Sequence, residues 1–285
     1  MTVATPPGLR VPLDRAAVEQ FAERRGEPSW LVAARVAAAD RYRSASWPTG
    51  LEEEWRRFPL DRLPTGSLEG AVSATAYAGA TPAGVVFGSL GEAAVAHPDI
   101  ASRWLAVARD DAHPSHAAPR ALADALWSDG TILHVAPGVV VPGPLWIRRH
   151  WGVGGQAILE RTVIALEAGA SATVVEELSS ETGGGGRMAV PHLTVHLGPG
   201  ARLAYVGIRR LGLDVWDLGL QRYLSDRDSD LYALNVLVGG ARSKIGIESL
   251  IRGDGGRVRL DGLVALGGEQ RVDVNSYQSL DGKGS

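Results

Sequence analysis

The chain has 285 residues, a formal net charge of −3 and no cysteine. The missing cysteine removes disulfides, thiolate nucleophiles and cysteine metal sites, so any metal chemistry has to use histidine, carboxylates or another subunit. The slight acidity leaves no overall positive field for a phosphate backbone, which excludes nucleic acid as the main partner. A hydrophobic content of 45% over this length supports one large core, or a small domain beside a larger one.

Residues 1 to 12 carry two adjacent prolines and Arg10 without a long apolar run, so no secretory signal is expected and the expected compartment is the cytoplasm. From 13 to 45, Leu13, Ala16, Ala17, Phe21 and then Trp30, Leu31, Ala34, Ala38 recur at three- and four-residue spacings, which predicts helix. Gly26 and Pro28 divide it into two, with Pro28 placed at the start of the second. Residues 46 to 70, with Trp47-Pro48, the run Glu52 to Arg57 and Pro59, read as a connector with one short helix. The pattern weakens from 71 to 129, with a short strand near Gly84 to Ser89, helical turns at 90–96 and 101–108, and a firmer helix at 117–127.

From about residue 130 the chain alternates apolar runs rich in Val, Ile and Leu with glycine-bearing turns near Gly138, Gly169, Gly200, Gly240 and Gly268. A recurrence of roughly thirty residues is the mark of a stacked architecture. Alternation within the runs, as in Val258, Leu260, Gly262 and Val264 against Arg257, Arg259 and Asp261, makes them strands with one face inward, and Ala157 to Leu166, Ser171 to Leu178 and Leu193 to Leu197 are expected among them. The expected fold is therefore mainly β, a parallel β-helix over 130–285, preceded by a helical segment and connector (1–70) and a mixed α/β region (71–129). The longest apolar stretch, Thr131 to Ile147, is interrupted by Pro137, Pro142 and Pro144 and does not read as a membrane span.

Several residue groups raise chemical questions. Gly183 to Gly186 followed by Arg187 could cradle an anion, but the spacing is not that of a P-loop and no helix signal follows, so a turn is expected. Asp226, Asp228 and Asp230 alternate like the opening of a calcium loop, yet Leu231 and Leu237 occupy the positions that need glycine and glutamate. His192 and His196 share a strand face about 13 Å apart, too far for one metal. His113 and His116 flank Pro114 in a loop, and both pairs read as isolated surface histidines. Glu176 and Glu177 are adjacent and point to opposite faces, so they do not form an acid/base pair. No catalytic, metal-ligating or cofactor-binding residues are assigned.

One resemblance runs through nearly the whole chain. Arg25-Gly26-Glu27-Pro28-Ser29-Trp30-Leu31 with Arg35 and Ala38, then Glu53-Glu54-Trp55-Arg56 with Pro59-Leu60, is similar to the opening of the SufB/SufD family, and more to its SufD branch. His134-Val135-Ala136-Pro137-Gly138-Val139 resembles a strand turn of that family, and Gly239-Gly240, Arg242, Glu248, Leu250 and the stretch Gly253 to Asp273 resemble a later section. The resemblance implies a non-enzymatic scaffold for iron-sulfur cluster assembly with a right-handed β-helix. It also implies pairing with a SufB-like subunit and work alongside a SufC-type ATPase, with any cluster assembled transiently at the level of the complex. After Asp273 the family pattern continues through a histidine-bearing strand and C-terminal helices, which Asn275 to Ser285 do not match, so neither feature is carried over. An incomplete solenoid would expose a strand edge, and the isolated chain is expected to associate or aggregate. The rival from the enzyme class is a β-helical polysaccharide lyase or hydrolase, with acidic and arginine residues on one solenoid face. A hexapeptide-repeat acyltransferase would need a six-residue apolar rhythm that is not visible.

Overall fold

The computed structural model describes residues 13–64, 73–107, 113–152, 157–183 and 185–284. Residues 1 to 12 and Gly184 of the glycine run lie outside them.

The helical opening forms as its spacing predicts: α1 (Arg15–Arg24) and α2 (Ser29–Ser44) are separated by Gly26, whose φ of 62° ends the first helix. Asp14 caps α1 by accepting from the Ala17 amide at 2.7 Å. Among the described residues the connector holds one short helix, the 3-10 helix Leu60–Arg62, preceded by hydrogen-bonded turns in which Trp55 and Arg56 donate to the Glu52 carbonyl. Strand β1 (Ser73–Ala78) was not foreseen, because its Ser-Ala-Thr-Ala-Tyr-Ala text carries little apolar bulk. After it come β2 (Val85–Ser89), α3 (Leu90–Ala96), α4 (Pro98–Val107) and α5 (Ala117–Leu126).

The remainder is a β-solenoid of about five turns, built from two facing sheets. The first sheet stacks β3 (Asp129–Val135), β5 (Ala157–Leu166), β7 (Arg187–Leu197), the pair β9 (Val215–Asp217) and β10 (Leu220–Ser225), β12 (Arg242–Ile251) and β14 (Arg271–Leu280) in parallel. The second stacks β4 (Val140–Trp151), β6 (Ser171–Ser180), β8 (Arg202–Leu211), β11 (Asp230–Gly239) and β13 (Arg257–Ala265) in the same way. Antiparallel β2 and β1 close the N-terminal edges of the two sheets by pairing with β3 and β4.

The two sheets have different outer surroundings, and their burial patterns follow. Every residue of β5 is buried, because the helices cover the outside of the first sheet: Ala118, Ala121, Leu122 and Ala125 of α5 pack on Leu159, Met188 and Val190, and Leu90, Ala94 and Trp104 pack on Ile132, Val163 and Ala165. In the second sheet β6, β8 and β11 alternate, and Leu145, Ile147, Val174, Leu203, Tyr205, Leu231 and Ala233 point inward with the intervening residues toward solvent.

The glycine turns divide into two series. Gly138, Gly169 and Gly200 (φ 69–72°) occupy one corner, and that corner continues through Asp228 (φ 55°) and Gly255 (φ 71°). Gly240 and Gly268 belong to the opposite corner. The corner residues are tied rung to rung: the amides of Gly138, Gly169, Gly200, Asp228 and Gly255 donate to the carbonyls of Ala168, Pro199, Arg227, Asp254 and Lys283 at 2.8–3.1 Å. A left-handed backbone presents each amide to the next rung, which is why glycine recurs there and why an aspartate, tolerant of that conformation, replaces it once.

Candidate functional sites and family assignment

Charged side chains are concentrated in three places: inside the solenoid, under the helices, and at the last rung. Inside, Arg149 of β4 reaches across the core. It donates to Glu160 Oε2 at 2.9 Å and Thr131 Oγ1 at 2.6 Å, and lies 3.6 Å from Glu176 Oε1. Thr162 and Tyr205 donate to the two oxygens of Glu176 at 2.7 and 2.6 Å. Deeper rungs add the Arg209–Asp217 pair at 2.6 Å, and Gln221 donating to Asn235 at 2.6 Å while accepting from Tyr223 at 2.9 Å. Burial and the Glu176 carboxylate push the Tyr205 phenol well above its ordinary range, so it stays a donor. Glu176 and Glu177 do point to opposite faces: Glu177 faces solvent between Arg148 and Arg210.

Under the helices, the reading of His192 and His116 as surface residues is corrected. His192 is 1% exposed and lies beneath α5, its Nδ1 3.1 Å from Asp124 Oδ1. Burial, reinforced by the Arg161 guanidinium, holds its pKa down at about 4, so it is neutral and donates to the carboxylate. Burial works against ionisation of Asp124 too, but His192 and Arg161, the latter 3.3 Å away, overcome it and hold that carboxyl well below the usual range. His196, on the same strand face, packs instead at a tilt against the Trp104 ring of α4, 4.8 Å between ring centres, and lies 3.6 Å from Asp226. The pattern could not reveal these pairings, since the partners lie some 70 to 90 residues away on helices whose docking face is not written in the strands.

At the last rung the connector is pinned to the solenoid. The buried ammonium of Lys244 donates to the Glu54 carbonyl, to Asp273 Oδ2 at 2.8 Å and to Asn275, and sits 5.3 Å from the centre of the Trp55 ring. Tyr277 donates to Glu54 at 3.0 Å and stacks on His113 at 3.7 Å, while the His113 amide donates to Glu248 at 2.9 Å. His116 is buried beside Trp55, and burial together with the Lys244 charge depresses its pKa to about 4. These groups border an open groove of ≈ 940 Å³ lined by His113, Glu248, Arg252, Tyr277 and Gln278. Within it His113, Glu248 and Tyr277 are engaged with one another and with Glu54, which fits a structural clasp.

The remaining candidates have structural duties. Arg187 bonds Asp214 at 2.8 Å and the carbonyls of Gly152 and Glu181, and the same carboxylate accepts from the Gly183 backbone. Asp226, Asp228 and Asp230 form the one corner that lacks glycine, where the Asp226 carbonyl accepts from Ser229. Among the described residues no group of three or more histidine or carboxylate side chains could hold a metal, and no helix is long and apolar enough to cross a membrane.

The family-like motifs also acquire physical roles. Glu27 pairs with Arg35, a fully buried guanidinium that donates to the carbonyls of Ala125 and Trp127 and lies 4.1 Å from the centre of the Trp127 ring. This joins α2 to the end of α5, beside the entry to the solenoid.

The last rung leaves the outer edges of β13 and β14 without a strand partner among the described residues. By register, Val264, Val274 and Leu280 lie on the interior side, and they are 49%, 45% and 56% exposed.

A search of curated proteins found no match to the chain. Two family models match in order: the SufBD protein N-terminal region over residues 69–147, and the SufBD core domain of the SUF iron-sulfur cluster assembly system over residues 150–285. The second match spans the solenoid from the end of β4 onward, and together they identify the chain as a member of the SufB/SufD family, with a role in SUF iron-sulfur cluster assembly.

Proposed function

We propose that the chain is a SufD-like scaffold subunit, without catalytic activity of its own, which pairs through its β-helix with a SufB-like subunit. The observation that carries this reading is the match of the solenoid to the SufBD core domain, together with charged clusters that are engaged in holding the rungs and helices to one another. Nucleotide hydrolysis in the assembly would belong to a SufC-type ATPase, and clusters would be cargo of the complex, held with ligands from a partner. The side-chain clusters favour scaffolding over the polysaccharide-lyase alternative, since Arg149, Glu160 and Glu176 are sealed inside the core and Asp124 of α5 is turned onto His192 of the first sheet.

The test is co-expression with a SufB-like subunit and a SufC-type ATPase, followed by affinity capture and assay of an iron-sulfur enzyme in cells lacking this gene. Co-purification and loss of cluster-enzyme activity on deletion are expected. A deletion that leaves cluster enzymes intact, or cleavage of uronic-acid polymers by the purified chain, would overturn the proposal.

A further inference from the structure

At its N-terminal end the first sheet stops at β2, which pairs with β3 alone among the described residues. The Gly84 carbonyl accepts from the Ala136 amide at 2.9 Å, so Gly84, Val86 and Gly88 turn their backbone groups toward β3, and by alternation Val85, Phe87 and Ser89 turn theirs to the open side. The Val85 amide folds back onto the Pro82 carbonyl at 3.2 Å. Along the edge this leaves the Val85 carbonyl, both backbone groups of Phe87 and the Ser89 amide.

Burial falls within one strand step. Ile132, Leu133 and Val135 of β3 are fully buried, whereas every residue of β2 is half-buried, Val85 and Phe87 on the interior core and Val86 on the core beneath the helices. Both faces of the strand therefore lack a neighbour. Exposed edges are ordinarily guarded by charge, proline or a bulge, yet β2 reads Val-Val-Phe-Gly-Ser, while β1 at the matching edge of the second sheet is built of small and polar residues around one tyrosine. Helix α3 stands beside β2, and between them runs a groove of ≈ 290 Å³ lined by Val86, Phe87, Gly88, Ala93, Ala96 and Ile132. Consecutive strand residues line it, so it follows the backbone edge as well as one face. At Gly88 a Cβ would meet nothing within 4 Å, and glycine inside a strand marks a place where another backbone comes close.

We infer that this groove takes an extended segment of a partner protein as an added strand on β2, apolar at alternate positions and bearing a lysine or arginine for Glu92. The backbone edge calls for a strand, since those hydrogen-bonding groups are satisfied along their length only by another extended chain. Five residues of β2 at about 3.3 Å each match a segment of about five residues. Alternate apolar side chains would continue the face of Val85 and Phe87, and those between them would enter the space left by the small Ala93 and Ala96. Among the described lining residues Glu92, exposed at the rim, alone carries a full charge, which sets the sign of its complement.

The test titrates the full chain into a fluorescein-labelled peptide, Thr-Val-Lys-Val-Ala-Val-Thr, and follows anisotropy. Two further peptides are N-methylated, one on the valines and one on the lysine and alanine between them. Saturable binding of the parent is expected. Because alternate amides face β2, one methylated peptide should bind about 10-fold more weakly or worse and the other nearly as well as the parent. Glu92→Lys and Ala96→Phe, both at exposed positions of α3, should each weaken binding about 5-fold or more, by reversing the rim charge and by filling the groove. No binding at about 1 mM peptide, equal binding of both methylated peptides, or variants that bind like the native chain would overturn the inference. So would dissociation of a dimer by the parent peptide in sedimentation equilibrium, which would assign this edge to a second copy.

Discussion

His192 makes the stability of the fold depend on pH with a magnitude that can be worked out in advance. In the folded chain its pKa is depressed to about 4, first by burial and then by Arg161, while Asp124 offsets part of that by accepting its proton-bearing Nδ1. In the unfolded chain an imidazole titrates near ~6.5. As the pH falls below that value the unfolded state takes up a proton and the folded state does not, so stability is lost progressively until the folded group itself titrates near pH 4. Integrating one such proton from pH 7 to pH 5 gives a loss of about 2 kcal/mol, a large share of a domain stability of roughly 5–15 kcal/mol. The experiment compares urea unfolding of the native chain and of His192→Gln, whose amide can still donate to Asp124, at half-unit steps over that range. Buried groups of opposite tendency, such as Glu248, whose pKa is raised by burial, are common to both proteins and cancel in the difference. The native chain should lose about 2 kcal/mol more than the variant between pH 7 and pH 5. Parallel stability curves would refute the reasoning, as they would mean that His192 takes up its proton equally in both states.

Other consequences follow from the same geometry. Arg149→Met leaves Glu160 and Glu176 buried without their counter-charge and should destabilise the chain by about 3–5 kcal/mol, whereas Glu177→Gln on the solvent face should change it by less than about 1 kcal/mol; chemical denaturation of both checks this contrast. Gly239→Ala would place a Cβ 2.3 Å from the Leu211 carbonyl oxygen at a φ of 96°, so a loss above about 2 kcal/mol is expected, measured as a lowered midpoint of thermal unfolding. Lys244→Met removes a charge that helps depress His116, so the His116 titration followed by NMR should move upward from about 4, and the connector carrying Trp55 should become accessible to protease.

The solenoid half was legible because its signal is local and repeated. The reading of 157–166 as strand coincides with β5, and each quoted turn glycine has positive φ. The text could not show that the five glycines serve two corners, because the series through Asp228 and Gly255 breaks the glycine rule once and shortens the repeat from 31 to 28 and 27 residues. β7 was foreseen only from Leu193, since the preceding Arg-Met-Ala-Val-Pro-His does not alternate. It does not alternate because α5 covers its outer face while the core covers its inner face, so both sets of side chains are buried. The histidine environments were illegible for a related reason. His192 and His116 look isolated in the chain and become buried only when distant helices and the connector fold over the first sheet.

The account rests most heavily on the solenoid as the part that meets a SufB-like subunit, and affinity capture tests it most directly. The full chain, tagged and co-expressed with a SufB-like subunit, should retain it through purification and migrate with it as one species in size-exclusion chromatography. A chain with the circular dichroism of a folded β-solenoid that leaves the SufB-like subunit unbound would contradict the account.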